Sequence, residues 1–216
     1  MPSEERAPIS VVLSDIDGVL IDSAKAVFES YKTAFHFRGI SLPEHIFREM
    51  IWGNSWLQAC HEMEHCWSGK QDWSAIHDLK QEAFENMLET GNPAAMRVND
   101  LLCAILETLF GRNDVDLRLI TAGSVRASQL KMEWLAKVRC RALWSALPIA
   151  AGMDKKHPDT WRSIASYHEP DRIVVIEDDQ DVLNVIHTKF PKIQTFQVTF
   201  GELRKVREMD KVRPGL

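Results

Sequence analysis

The chain has 216 residues, 45% hydrophobic and 26% charged, which suits one full domain, or a domain with a sizeable insertion, and excludes a disordered chain. A formal charge of −5 and a pI near 5.9 exclude the broad basic face that binding to nucleic acid or an anionic membrane calls for. A small polar or anionic ligand, held by local cations, remains open.

The start, Met1-Pro-Ser-Glu-Glu-Arg, is polar and acidic, and the apolar run after it is far too short to span a membrane. A cytoplasmic location is expected. The cysteines Cys60, Cys66, Cys103 and Cys140 follow no framework pattern and read as reduced thiols.

In chain order, the first element is a buried strand over 10–14 that runs into Asp15-Ile16-Asp17-Gly18. With the period-two alternation of a strand, Asp15 and Asp17 project to one side, and Gly18 lets the backbone turn away without a Cβ clash. No convincing strand follows between about 23 and 91. The spacing there predicts four helices, over 24–38, 43–52, 55–67 and 74–90. A connection this long inside a doubly wound fold reads as an inserted helical subdomain. Its hinges are Asp22-Ser23 outgoing and Gly91-Asn92-Pro93 returning.

Beyond the insertion come a helix over 98–110, a strand over 117–121, a helix over 125–138, a strand over 173–176 and a last strand near 195–199. Strands of this kind alternating with helices predict an α/β fold: a doubly wound, Rossmann-like parallel sheet formed by 1–21 and 94–216, with an inserted α-helical subdomain over 22–93.

Ligands of open parallel sheets bind beyond the carboxyl ends of the strands. "RIVVIEDDQD" ends its strand in Glu177, Asp178, Asp179 and Asp181, which repel Asp15 and Asp17 unless a cation lies between. Oxygen ligands with little histidine or thiolate nearby point to Mg²⁺ rather than zinc. "LRLITAGS" places Thr121 at a strand end beside Ala122, Gly123 and Ser124, suited to an anion's oxygens, and "AGMDKKHPD" supplies Lys155 and Lys156. Carboxylate pair, metal site, hydroxyl and lysine together describe phosphoryl transfer. Singly, each has a plainer reading as a solvated turn residue or surface cation.

In this pattern the sequence resembles the haloacid dehalogenase-like hydrolases, in the phosphatase subfamily with a helical cap after the first motif. Asp-x-Asp-Gly-Val-Leu-x-Asp-Ser from Asp15 to Ser23 is the first motif, Thr121 the second, Lys155-Lys156-His157-Pro158 the third and Glu177-Asp178-Asp179 the fourth. The resemblance implies Asp15 as nucleophile, Asp17 as general acid and base, and Thr121 and Lys155 on the phosphoryl oxygens. It implies Mg²⁺ held by the Asp15 carboxylate, the Asp17 backbone carbonyl, Asp178 and, directly or through water, Glu177. Lys156 stands where the family has proline, leaving open which lysine meets the phosphate. Lys155, three before Pro158, is favoured.

"WGNSWLQA" resembles the cap's specificity loop, so Gly53, Asn54, Ser55 and Trp56 are the expected substrate readers. The arginine and hinge histidine of related hexose-phosphate mutases are missing near Trp56 and Val27, which favours hydrolysis. The expected activity is Mg²⁺-dependent hydrolysis of a small phosphorylated metabolite, with a sugar phosphate as one candidate. The alternatives are a phosphomutase, a dehalogenase, a phosphonatase or an inactive binding homologue. Dehalogenases and phosphonatases do not keep an acid where Asp17 stands. Cys60-His61-x-x-x-His65-Cys66 admits a zinc reading, but its cysteines are poorly placed to join the histidines. Trp67, Trp73, Trp134 and Trp161 read as packing residues.

Overall fold

The computed structural model describes residues 10–52, 56–64, 67, 71–90, 96–200 and 202–205. The chain forms two compact units, Met1–Asp22 with Val98–Leu216, and Ser23–Arg97.

The first unit is built on β1 (Ser10–Ser14), a short β-branched run whose Val11, Val12 and Leu13 are all buried. β4 (Val115–Ile120) and β6 (Ile173–Glu177) flank it in parallel, with Val12 opposite Leu117 on one side and Val174 on the other. β5 (Ile149–Ala150) joins β4, and β7 (Gln194–Thr199) joins β6, both in parallel. β8 (Glu202–Lys205) pairs antiparallel with β7, so the sheet order is β5-β4-β1-β6-β7-β8. The crossovers are α5 (Asp100–Leu109), α6 (Val125–Val138), α7 (Arg141–Trp144), α8 (Pro158–Tyr167) and α9 (Gln180–Lys189). The architecture is a doubly wound α/β sheet. One core cluster gathers Val11, Leu13, Ile120, Val175, Val182, Ile186 and Trp161, with Trp161 fully buried.

Several of the helices start where the sequence supplies caps. Asn99 accepts from the Leu102 amide, Ser124 from Ala127 and Asp179 from Asp181. Pro158, in the first turn of α8, brings a pre-set φ and no unpaired N–H.

The second unit holds α1 (Ala24–Phe37), α2 (Glu44–Ile46), α3 (Trp56–Glu64) and α4 (Trp73–Glu89). A helix continuous over 43–52 is not what forms. After α2 the chain widens into a π-helix over Phe47–Ile51, because the Trp52 amide reaches back five residues to the Phe47 carbonyl. Phe47 and Ile51 both stay buried, in a core with Tyr31, Phe35, Met63 and Ile76. Phe47 tilts against Phe28, ring centroids 5.1 Å apart, and Trp67 against Phe35 at 5.3 Å.

β2 (Ile21–Asp22) and β3 (Arg97–Val98) form a separate two-stranded sheet. The expected return hinge at Gly91-Asn92-Pro93 lies outside the described residues, as do His65 and Cys66. Cys60, Cys103 and Cys140 are free thiols. Among the described residues, no helix is long and apolar enough to cross a membrane.

Candidate active site

The strand ends carry their ladders one residue further than the strands themselves. The Asp15 amide donates to the Ile176 carbonyl at 3.0 Å, and the Thr121 amide donates to Ala150 at 2.9 Å. Asp15 is thereby fixed at the end of β1 beside the end of β6, with Thr121 at the end of neighbouring β4. The backbone then folds back sharply: the Leu20 and Ile21 amides both donate to the Ile16 carbonyl, and Gly18 takes φ +75°. A Cβ on Gly18 would lie 1.9 Å from Asp178 Oδ2, so only glycine lets the two acidic strand ends approach this closely.

Asn99 pins this turn from outside. Its side-chain amide donates to the Val19 carbonyl at 3.0 Å and its backbone amide to Leu20 at 2.9 Å, while its Oδ1 caps α5.

Lys155 lies between two of the acidic residues, Asp15 and Glu177. Its Nζ sits 2.8 Å from Asp15 Oδ2 and 2.7 Å from Glu177 Oε2, with all three side chains nearly excluded from solvent. The lysine is held in turn by Trp161, whose indole N–H donates to the Lys155 carbonyl at 2.7 Å. Lys156 points elsewhere, to Asp179 at 3.0 Å and Asp181 at 3.2 Å on the exposed side. Glu177 has both oxygens engaged, since Oε1 accepts from the amides of Asp178 and Asp179.

One lysine does not neutralise three carboxylates. Burial, then Glu177, push the Asp15 carboxyl up to about 8 against the opposing pull of Lys155. Burial, then Asp15, push Asp178 up to about 6. Burial also raises Glu177. Burial works to lower the Lys155 ammonium, but attraction to Asp15 and Glu177 outweighs it and the net shift is upward.

Asp15, Glu177 and Asp178 bring carboxylate oxygens within 4.8 Å of one another. Asp15 Oδ1 is buried and has no hydrogen-bond partner. An orphaned acceptor in a crowded all-oxygen set, with no imidazole or thiolate in it, fits a hard divalent cation. The Asp17 side chain stands apart from this trio. Both of its oxygens take the ammonium of Lys131, at 2.7 and 2.6 Å. Its expected part in metal binding rests on the backbone carbonyl alone.

Thr121 is buried, and its Oγ1 accepts from the Gly123 amide at 3.0 Å, which leaves the hydroxyl proton to donate. Ala122 is exposed and Gly123 half-buried. A Cβ on Gly123 would lie 3.4 Å from Thr121 Oγ1 and 3.9 Å from Asp17 Oδ2, so this loop runs alongside the Asp17 carboxylate. Gly53, Asn54 and Ser55 lie outside the described residues, and of Trp56 only its place at the start of α3 is described.

Sequence reasoning missed Lys131, Asn99 and the anchoring role of Trp161. Asn99 before an apolar helix carries an N-cap signal, but its reach to Val19 does not show in local sequence.

Sheet order and strand-end chemistry together define a doubly wound α/β core with an acidic, lysine-bridged crevice at the carboxyl ends of β1, β4 and β6. Solved structures of the same fold specify it further. CbbY from Rhodobacter sphaeroides, in complex with phosphate, is 19% identical over 87% of this chain and 84% of its own, at a TM-score of 0.66. A second CbbY structure holds xylulose-(1,5)-bisphosphate. A predicted phosphoglycolate phosphatase from Haemophilus somnus 129PT is 16% identical over 89% of this chain and 86% of its own, TM-score 0.67. A haloacid dehalogenase-like hydrolase from Streptococcus pneumoniae is 16% identical over 90% and 87%, TM-score 0.63. The fold is that of the haloacid dehalogenase-like hydrolases. No protein-family model and no curated protein matches the chain.

Proposed function

We propose that the protein is a Mg²⁺-dependent phosphomonoesterase acting on a small phosphorylated metabolite. The observation that carries this reading is Asp15: buried at a strand end, one oxygen on Lys155, the other without a partner, and facing Glu177 and Asp178. Phosphate and a sugar bisphosphate in the CbbY structures support the substrate class.

In this mechanism a carboxylate oxygen of Asp15 attacks phosphorus, forming a P–O bond as the bond to the leaving oxygen breaks. Asp17, entering this step protonated and with one oxygen released from Lys131, delivers that proton to the leaving oxygen. It then takes one from the water that attacks the aspartyl-phosphate, releasing phosphate and restoring Asp15. The Thr121 hydroxyl, oriented by the Gly123 amide, together with the Ala122 amide and the Lys155 ammonium, holds the phosphoryl oxygens, where fixed donors are most effective. Asp15, Asp178 and the Asp17 backbone carbonyl would hold Mg²⁺, and Glu177, whose own oxygens are already engaged, would support the site indirectly. When bound, the ion offsets the negative charge that otherwise keeps phosphate from an acidic crevice.

The test is phosphate release from a panel of sugar, polyol, nucleotide and carboxylic-acid phosphates, with Mg²⁺ and with chelator. Metal-dependent release from one chemical group, abolished in a folded Asp15→Asn protein, is the expected result. Turnover that survives Asp15→Asn refutes the mechanism.

A further inference from the structure

Lys131 lies in the second turn of α6 and is 4% exposed. A buried ammonium is costly unless paired, and an apolar residue of similar volume would fill this place at no such cost. Its Nζ meets both oxygens of Asp17, at 2.7 and 2.6 Å, and fixes the direction of that carboxylate. α6 starts directly after the 121–124 loop, its cap Ser124 accepting from Ala127, and Ser128 Oγ donates back to the Ser124 carbonyl. The same loop passes the Asp17 carboxylate at Gly123. One helix therefore carries both the phosphoryl-binding loop at its N-terminus and, further along, the clamp on Asp17.

We propose that Lys131 is a positioning residue for Asp17, tying the proton-transferring carboxylate to the helix that carries the phosphoryl-binding loop. This rests on the proposed phosphomonoesterase activity. The clamp sets the reach of Asp17 toward the leaving oxygen. Its loss weighs most on esters whose leaving group needs the proton, because a weakly basic leaving group departs without help.

The experiment measures kcat/KM, which reports the steps through aspartate phosphorylation, on p-nitrophenyl, phenyl and benzyl phosphate, in order of increasingly basic leaving groups. The proteins are wild type, Lys131→Met, Lys131→Arg, Asp17→Asn and the Asp17→Asn/Lys131→Met double variant, each checked for fold by circular dichroism. Lys131→Met fills the same volume, and Lys131→Arg keeps the charge. The expected result is a loss on benzyl phosphate on the order of tenfold or more for Lys131→Met, a much smaller loss on p-nitrophenyl phosphate, and partial rescue by Lys131→Arg. In the Asp17→Asn background, Lys131→Met adds nothing further.

Equal losses on all three esters, or a loss that adds in full to that of Asp17→Asn, give Lys131 a general structural role and overturn the proposal. Faster turnover of benzyl phosphate by Lys131→Met overturns it as well, because the clamp then restrains Asp17. A wild-type protein that turns over none of the three esters, nor any of the metabolite panel, fails at the activity itself, and the positioning role falls with it.

Discussion

Asp15→Asn tests the electrostatics of the crevice independently of turnover. Asp15 sits at about 8 in the fold, through burial first and Glu177 second, against an ordinary value near 3.8. A raised carboxyl means that the fold still holds a proton which the unfolded chain has released. Wild-type stability therefore falls as pH rises from about 4 to about 8, while asparagine does not titrate. At pH 7 about three pH units at ~1.4 kcal/mol each set a ceiling of roughly 4 kcal/mol. The pull of Lys155 is already contained in that shift, and a protein interior that screens charge more than a dry medium brings the ceiling down to on the order of 1 to 3 kcal/mol. The amide can still accept from Lys155 through its oxygen and place its NH₂ where the orphaned Oδ1 stood. The metal-free variant should come out more stable by about 1 to 3 kcal/mol, a rise in Tm of roughly 5 °C for a chain of this size.

Thermal melts by circular dichroism in chelator, at pH 5, 6, 7 and 8, measure the difference. The gap should widen with pH in favour of Asp15→Asn. Adding Mg²⁺ should narrow it, because the ion stabilises the wild type by mass action at the carboxylate that the variant lacks. A gap that is constant with pH, or a variant less stable than wild type at pH 8, refutes the reasoning.

Two further substitutions probe the scaffold. Gly18→Ala forces a side chain into a positive-φ position with its Cβ on the Asp178 carboxylate, so it should cost at least about 1 to 2 kcal/mol. It should also shrink the Mg²⁺-induced rise in Tm, and an undiminished rise would show that Asp178 moves aside without consequence. Asn99→Ala removes both a helix cap and a buried bond to Val19, a loss of about 2 to 3 kcal/mol in chemical denaturation, and a loss below about 0.5 kcal/mol would place the turn's stability elsewhere.

Much of the sheet was readable because strands buried on both faces are short, β-branched and bounded by polar residues. The strand at 10–14 and the helix at 125–138 fall where expected, and the strand at 117–121 begins two residues earlier than read, at Val115. β5 escapes such reading because two residues carry no period. The residues of the crevice were legible as strand-end clusters, but their partners were not. Lys155 was legible as a partner for phosphate, but its place between Asp15 and Glu177 follows only from burial and distance. Lys131 sits in "ASQLKMEW", where a lysine reads as part of a solvated face, and only tertiary placement puts it against a residue 114 positions away. The π-helical turn over Phe47–Ile51 was invisible because the apolar spacing of α and π turns differs too little over five residues.

β8 has a bearing on how much open edge the sheet presents. A sheet edge is an open row of amides and carbonyls that another chain can extend, and evolution keeps such rows short or covered. Here one margin is the two residues of β5, too brief to template anything. The other is the four residues of β8, which pair β7 from Phe196 to Thr199 and leave a shorter margin than the six residues of β7 would. A protein cut before Glu202 would keep every residue of the crevice and expose the longer row of β7 in place of the four residues of β8.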